Sequence, residues 1–167
     1  PAERSDFNAT PSYEETLAWL QALARTTPTA DLQSFGRSPQ GRQLPLLVVS
    51  AQRTFEPGAA RAAGRPVVLI QCGIHSGEIS GKDASLIFLR ELLVEGRYPE
   101  ILGELTLLFV PIYNVDGHER LGHSRINQDG PREGMGFRTT ARGQDLNRDY
   151  MKLDAEETRA LVGTLIN

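Results

Sequence analysis

The chain has 167 residues, of which 40% are hydrophobic and 23% are charged, and this is the composition of an ordinary globular domain. Its formal net charge is −3 and its basic residues form no clustered stripe, so no nucleic-acid partner is predicted. No apolar run approaches the ~18 residues that a membrane span needs, and the single cysteine excludes an intrachain disulfide. These properties fit a secreted, a periplasmic or a cytoplasmic protein alike.

The first elements in chain order are a helix and a hairpin. Ser12 followed by Glu15 forms a capping box, and leucines then recur at helical spacing, which predicts a helix over about Tyr13–Arg25. Residues 32–50 contain two extended stretches around a turn with the sequence SPQG, which predicts a β-hairpin.

Two apolar runs then predict buried strands with a helix between them. The run RPVVLIQC, residues 65–72, is β-branched and continuous, which predicts a central strand covered on both faces. Residues 79–95 carry apolar side chains at helical spacing, and ELTLLFV, residues 104–110, predicts the second buried strand. The order strand, helix, strand implies an α/β layer with a crossover connection.

The last part of the chain is a long polar connection followed by a helix. The sequence NVDG, residues 114–117, indicates a turn in which Asn114 and Asp116 bond the backbone. Residues 118–143 are rich in glycine and arginine, and connections of this length are often functional. The segment from 154 onward predicts a final helix with Asp154 as its cap.

Residues that can carry chemistry first appear after the first buried strand, in GIHSGE. Ligand sites in α/β sheets lie beyond the carboxyl ends of the strands. The flanking glycines let His75 and Glu78 converge, and zinc accepts an imidazole nitrogen and a carboxylate oxygen at ~2.0–2.2 Å. The alternative is purely structural: His75 bonds a backbone carbonyl and Glu78 caps the next helix.

A second polar cluster, ARGQDLNRDY, occupies residues 141–150. Arg148 offers a planar donor fork suited to a carboxylate, and Asn147 adds an amide donor. Asp145 can orient a histidine by accepting its free ring N–H. The alternative for this segment is a solvated loop.

Together and in this order, the pair His75-x-x-Glu78, the sequence NVDG and the sequence QDLNRDY resemble the zinc carboxypeptidases of the carboxypeptidase A type. The sequence FGRSPQGR, residues 35–42, resembles the early strand and turn of that family. The resemblance extends from about Ser12 to the last residue. It implies an α/β fold with a mixed parallel and antiparallel sheet covered by helices on both faces.

The resemblance also implies a cofactor and a reaction. One zinc ion would be bound by His75 and Glu78, with Asp145 orienting His75 from behind. The reaction would be hydrolysis of the C-terminal peptide bond through a metal-activated water.

The implied substrate is a peptide with a free C-terminal carboxylate. Asn147 and Arg148 would bind that carboxylate, and Arg138 would stabilise the developing oxyanion. Arg132 and Arg142 are neighbouring candidates for this last role. Position 149 is an aspartate where many members have asparagine, which leaves the charge preference of the substrate open.

The family also uses a third ligand histidine beyond the Asn-Arg pair and later a glutamate as general base, and this sequence contains neither. His118 and His123 precede the pair and are interpreted as polar loop residues. We therefore expect residues 1–167 to form the N-terminal portion of one catalytic domain. This portion alone is expected to be inactive. Its exposed sheet edge would permit self-association.

Two other functions stay open at this point. A zinc amidase or deacylase acting on peptidoglycan or acyl-amino acids could use the same ligands, and a metal-free binding module could keep the fold without chemistry. The joint presence of His75, Glu78, Asp145 and Arg148 favours an enzyme, because a binding module has no physical need for all four.

Overall fold

The computed structural model of the protein describes residues 1–122 and 134–166. The strands are β1 (Ala30–Arg37), β2 (Gln43–Val49), β3 (Val67–Gln71) and β4 (Thr106–Val110). The helices are α1 (Tyr13–Thr26), α2 (Pro57–Ala62), α3 (Ser80–Leu93), α4 (Pro99–Glu104), α5 (Val115–Glu119) and α6 (Glu156–Leu161). Shorter helical turns cover Glu3–Ser5, Leu146–Arg148 and Val162–Ile166.

The first helix and the hairpin are where the sequence predicts them. Ser12 accepts a hydrogen bond from the Glu15 N–H, and the Glu15 carboxylate accepts one from the Ser12 N–H, so the capping box fixes the start of α1. β1 and β2 pair antiparallel. The turn between them contains Gly41 at φ 83°, a left-handed conformation that glycine adopts without strain.

The four strands form one mixed sheet in the order β1-β2-β4-β3. β2 and β4 are antiparallel, whereas β3 and β4 are parallel and are joined through α3, as the strand-helix-strand order predicts. The prediction that β3 is a central, doubly covered strand is wrong within the described chain. β3 pairs only with β4, and Val67 and Val68 remain 48% and 39% exposed.

Side-chain alternation along the strands divides the core into two layers. Leu47 and Val49 of β2 face a layer that includes α1 and α3, whereas Leu46 and Val48 face a layer that includes α6. The predicted α/β fold, with a mixed sheet and helices on both faces, is therefore confirmed.

The start of α6 differs from the prediction. Asp154 is not the cap, because the carboxylate of the buried Asp149 accepts the backbone N–H groups of Asp154 and Ala155, both at 2.9 Å. Burial alone would raise the pKa of Asp149, but these hydrogen bonds lower it below the ordinary value of an aspartate. Asp149 thus serves the fold, and its side chain is directed toward α6.

In residues 1–122 and 134–166, none of the helices combines the length and the apolar composition needed to cross a membrane.

Candidate functional site

The candidate site lies where β3 and β4 end side by side. Beyond the two strands, the backbone pairing continues through bonds from the Cys72 N–H to the Val110 carbonyl and from the Tyr113 N–H to the Cys72 carbonyl. Gly73 follows at φ 65°, and a Cβ there would lie 3.4 Å from the Ile112 Cα. This close approach turns the chain and brings the loop at 74–79 beside the segment at 113–117.

The buried imidazole of His75 lies between two carboxylates. Its Nδ1 is 2.9 Å from Glu78 Oε1, and its Nε2 is 3.0 Å from Asp145 Oδ1. The purely structural interpretation is therefore not observed: these are carboxylate contacts to the ring, and α3 begins without a side-chain cap from Glu78. His75 and Asp145 thus meet directly although they lie 70 positions apart in the sequence.

Asp145 is held by contacts from several groups at once. Burial alone would raise the pKa of Asp145, but hydrogen bonds from His75, from the Asn147 N–H and from Arg138 lower it. An ionised carboxylate only accepts hydrogen bonds, so Asp145 suits these donors. On the other side of the ring, Nδ1 of His75 faces the Glu78 carboxylate.

Arg138 supplies positive charge at this position. Its Nε donates to Asp145 Oδ2 at 3.0 Å, one of its terminal nitrogens lies 3.2 Å from His75 Nδ1, and the same nitrogen is 4.0 Å from Glu78 Oε1. Of the two neighbouring candidates, Arg142 pairs with Glu156 at 2.6 Å, and Arg132 lies outside the described residues.

Asn147 and Arg148 lie on a short helical turn next to this cluster. The Asp145 side chain caps the turn by accepting the Asn147 N–H at 3.0 Å. Both side chains are exposed, and the Arg148 guanidinium donates to the Asn147 carbonyl at 2.9 Å. The structure thus brings His75, Glu78, Arg138 and Asp145 into direct contact and places Asn147 and Arg148 beside them on the surface.

An open cavity of about 440 Å³ lies against Glu78. Its other walls include Gln71 at the end of β3, Gly73 and Met135. The hydroxyl of Tyr150 donates to the Gln71 side chain at 2.9 Å, which ties the segment after Arg148 to the edge of the sheet.

Within the described part of the chain, no group of three or more histidine, cysteine, aspartate or glutamate residues is arranged to hold a metal ion. The reason lies in the ring of His75: Glu78 and Asp145 contact different nitrogens, so the two carboxylates face different sides of the imidazole. Each ring nitrogen of His75 thus faces a single carboxylate, Nδ1 that of Glu78 and Nε2 that of Asp145.

The interpretation of His118 as a polar loop residue is wrong. His118 belongs to α5 and is buried, with Nε2 3.0 Å from the Lys82 ammonium and Nδ1 2.7 Å from Glu119 Oε1. Its ring contacts Lys82 and Glu119 rather than the carboxylates of Glu78 and Asp145. His123 lies outside the described residues.

Sequence reasoning missed one contact that joins the two halves of the site. The buried Ser76 donates its hydroxyl proton to the Asn114 carbonyl at 2.7 Å. The position of Ser76, directly after His75, was the available signal, but its partner is 38 residues away and no local pattern reveals it.

Comparisons with known proteins identify the family of this chain. Residues 16–161 match the sequence family described as zinc carboxypeptidase. Mouse carboxypeptidase A6 is 31% identical over 145 residues, which make up 83% of this chain and 31% of that protein. Carboxypeptidase 2 of Trichophyton rubrum is 27% identical over 158 residues, or 93% of this chain and 26% of that protein.

A solved structure shows the same fold. The crystal structure of a metallo-carboxypeptidase from Burkholderia cenocepacia matches with a TM-score of 0.67 at 23% sequence identity, covering 92% of this chain and 37% of that one. The chain thus spans less than a third of the length of the two relatives and little more than a third of this structure.

Proposed function

The chain belongs to the zinc carboxypeptidase family, and from that premise we propose that the protein is a zinc-dependent carboxypeptidase that hydrolyses the C-terminal peptide bond of a peptide. The observation that carries the proposal is the ring of His75, held between Glu78 and Asp145 with Arg138 beside Nδ1. This arrangement places an imidazole nitrogen, a carboxylate and a cationic side chain within one small volume.

The residues present fit a zinc ion. Imidazole nitrogen and carboxylate oxygen are zinc ligands, and a ligating histidine characteristically donates its other ring N–H to a carboxylate. His75 Nδ1 and the Glu78 carboxylate would hold the zinc, and Asp145 would keep the ring in the ligating orientation. The Glu78 side chain is 47% exposed and lines the open cavity, which supports access from solvent.

The chemistry that zinc supplies when bound is a polarised carbonyl and a water whose pKa is lowered to about 7. Arg138 would stabilise the negative charge that develops on the carbonyl oxygen, because a preorganised cation is most effective where charge appears during the reaction. Its hydrogen bond to Asp145 fixes the guanidinium in that position.

Asn147 and Arg148 would bind the terminal carboxylate of the peptide. Their exposed side chains belong to a helical turn that Asp145 caps. The same carboxylate contacts the ring of His75, so Asp145 holds the proposed carboxylate-binding groups next to the proposed zinc ligand. Charge-assisted hydrogen bonds of this kind each stabilise binding by about 1.5–3 kcal/mol. The Asp149 side chain is directed toward α6, so residues other than Asp149 would set the charge preference for the substrate.

We also propose that residues 1–167 form the N-terminal portion of one catalytic domain. The third zinc ligand and the general-base glutamate would then come from residues outside this chain, and the chain alone would be inactive. The exposed β3 edge would mediate self-association of the isolated chain.

The proposal is tested by zinc affinity and peptide hydrolysis, measured on the protein at its natural length. We expect His75→Ala to weaken zinc binding at least about 100-fold, because even an outer-shell partner contributes 10- to 100-fold. His118→Gln is the matched control, since it changes a buried histidine whose ring contacts Lys82 and Glu119 instead of Glu78 and Asp145. A substrate with a free terminal carboxylate should exceed its C-terminal amide in kcat/KM by about 10-fold or more.

The outcomes separate the alternatives. Equal hydrolysis of acid and amide would contradict the role of Asn147 and Arg148. Zinc-dependent cleavage confined to acyl-amino acids or peptidoglycan fragments would indicate the amidase or deacylase. Zinc binding that survives His75→Ala would exclude the proposed ligand pair and favour the binding module.

A further inference from the structure

We propose that Asn114 is a positioning residue: it sets the place of Arg138 relative to the ligand pair His75 and Glu78. This inference rests on the proposed function, because it assigns Asn114 a role in the reaction that acts through Arg138. It concerns the sequence NVDG, which by itself indicates only a turn.

Asn114 connects three segments of the chain from a fully buried position. Its side-chain oxygen accepts the Gly117 N–H at 3.0 Å and thereby caps α5. Its side-chain nitrogen donates to the Arg138 carbonyl at 3.2 Å. Its backbone carbonyl accepts the Ser76 hydroxyl at 2.7 Å, one residue from His75.

The segment that carries Arg138 is packed tightly against the start of α5. A Cβ on Gly117 would lie 2.7 Å from the Thr139 carbonyl oxygen, and a Cβ on Gly136 would lie 2.7 Å from the Ser76 Cβ and 2.8 Å from the Gly117 carbonyl oxygen. Real Cβ atoms do not approach other atoms so closely. The backbone at 136–139 is therefore held in contact with both the turn and the loop of the ligand pair.

The Arg138 side chain has few other constraints. It is 44% exposed, and its guanidinium is fixed through Nε to Asp145. The bond from Asn114 holds the backbone end of the same residue, so the two bonds together define where the terminal nitrogen lies beside His75 Nδ1. Misplacement of a reacting group by about 1 Å can cost about 100-fold in rate.

Asp116, in the first turn of α5, offers a matched comparison. It is as deeply buried as Asn114, but it bonds the β1-β2 hairpin: its carboxylate accepts the Ser38 hydroxyl at 2.8 Å, the Gln40 N–H at 3.0 Å and the Arg42 guanidinium at 2.7 Å. Loss of Asp116 should therefore weaken the fold without acting through Arg138.

The first experiment is a double-mutant cycle in kcat/KM on the protein at its natural length. Asn114→Ser keeps an oxygen that can accept the Gly117 N–H, as serine does at helix N-caps, but it is too short to reach the Arg138 carbonyl. We expect Asn114→Ser to lower kcat/KM about 10- to 100-fold with zinc content unchanged, and to lower it less than about 2-fold further when Arg138 is already alanine. Asp116→Asn should act by the same factor in both backgrounds.

The second readout does not depend on catalysis. The Arg138 Nε–H, which donates to Asp145, should give a slowly exchanging ¹H–¹⁵N resonance that is identified by its disappearance in Arg138→Lys. We expect Asn114→Ser to lose this resonance through faster exchange and Asp116→Asn to keep it. If wild type hydrolysed no peptide, the proposed function would be wrong, and this measurement would still test the inference.

Either of two results would overturn the inference. One is an Asn114→Ser effect on kcat/KM of the same size with and without Arg138. The other is an unchanged Nε–H exchange rate in Asn114→Ser.

Discussion

At the scale of single residues, the carboxylate of Asp145 organises the candidate site. It contacts Nε2 of His75, whose Nδ1 faces Glu78. The same carboxylate holds the Arg138 guanidinium and caps the turn of Asn147. Asp145 therefore couples the proposed ligand, the proposed oxyanion donor and the proposed carboxylate-binding groups.

Replacement of Asp145 by asparagine should weaken zinc binding about 10- to 100-fold, because the outer partner of a ligating histidine orients the ring and raises its basicity. Zinc affinity would be measured by competition with a chromophoric chelator, on the protein at its natural length. Asp149→Asn is the control: this carboxylate bonds the start of α6, so the variant should lose stability and keep zinc affinity. Equal zinc affinity in wild type and Asp145→Asn would contradict the role of Asp145.

At the scale of elements, a buried polar cluster joins the starts of α1 and α3 to α5. Lys82 of α3, 1% exposed, donates to the Pro11 carbonyl and to His118 Nε2. His118 donates from Nδ1 to Glu119, which also accepts the Tyr13 N–H at 2.9 Å. Burial lowers the pKa of Lys82 to about 8 and also lowers that of His118, while the hydrogen bond with His118 lowers the pKa of Glu119.

This cluster should make folding stability sensitive to acid. The hydrogen bonds are complete only when His118 is neutral, and a proton on Nε2 would place two cations 3.0 Å apart. Because the pKa of His118 is lower in the folded state than the ordinary value of about 6.5, the unfolded chain binds the proton first as pH falls. Stability is then lost below about pH 6.5, by about 1.4 kcal/mol for each unit by which the pKa is lowered.

The test is urea unfolding of wild type and His118→Gln at pH 7.5 and pH 5. We expect the difference between the two pH values to be smaller in His118→Gln, whose amide stays neutral. The charged neighbours Lys82, Asp83 and Glu119 are present in both proteins. Because the hydrogen bond with His118 lowers the pKa of Glu119, the comparison reports on His118 together with this bond. An equal loss of stability in the two proteins would show that His118 does not govern the acid sensitivity.

At the scale of the whole molecule, the sheet ends in an open edge. Among residues 1–122 and 134–166, β3 pairs with β4 on one side only, and Val67 and Val68 are exposed on it. An edge strand with apolar side chains and free backbone groups is a template for pairing with another chain. β1, the other edge, contacts α1 and α6.

We expect the isolated 167-residue chain to associate through β3, and Val67→Lys to suppress this association because charge on an edge strand opposes pairing. Sedimentation velocity over a range of concentrations would measure it. Val94→Lys is the control, since Val94 is 64% exposed but lies at the end of α3. A monomer at every concentration, or the same effect of both lysines, would contradict the role of the edge.

The sequence by itself determined the local elements and the chemical identity of the site residues. The capping box of α1, the turn of the hairpin and the apolar runs of β3 and β4 are local patterns, and each gave the element that it predicts. The candidate residues His75, Glu78 and Asp145 were likewise visible as side chains of the right type after strand ends. Only the tertiary structure decided which arginine lies beside the ring, that His118 is buried, that Asp149 bonds the backbone just before α6 and that β3 is an edge within the described chain. The physical reason is that a contact such as that between His75 and Asp145 joins residues 70 positions apart, and its geometry depends on how the whole sheet brings them together.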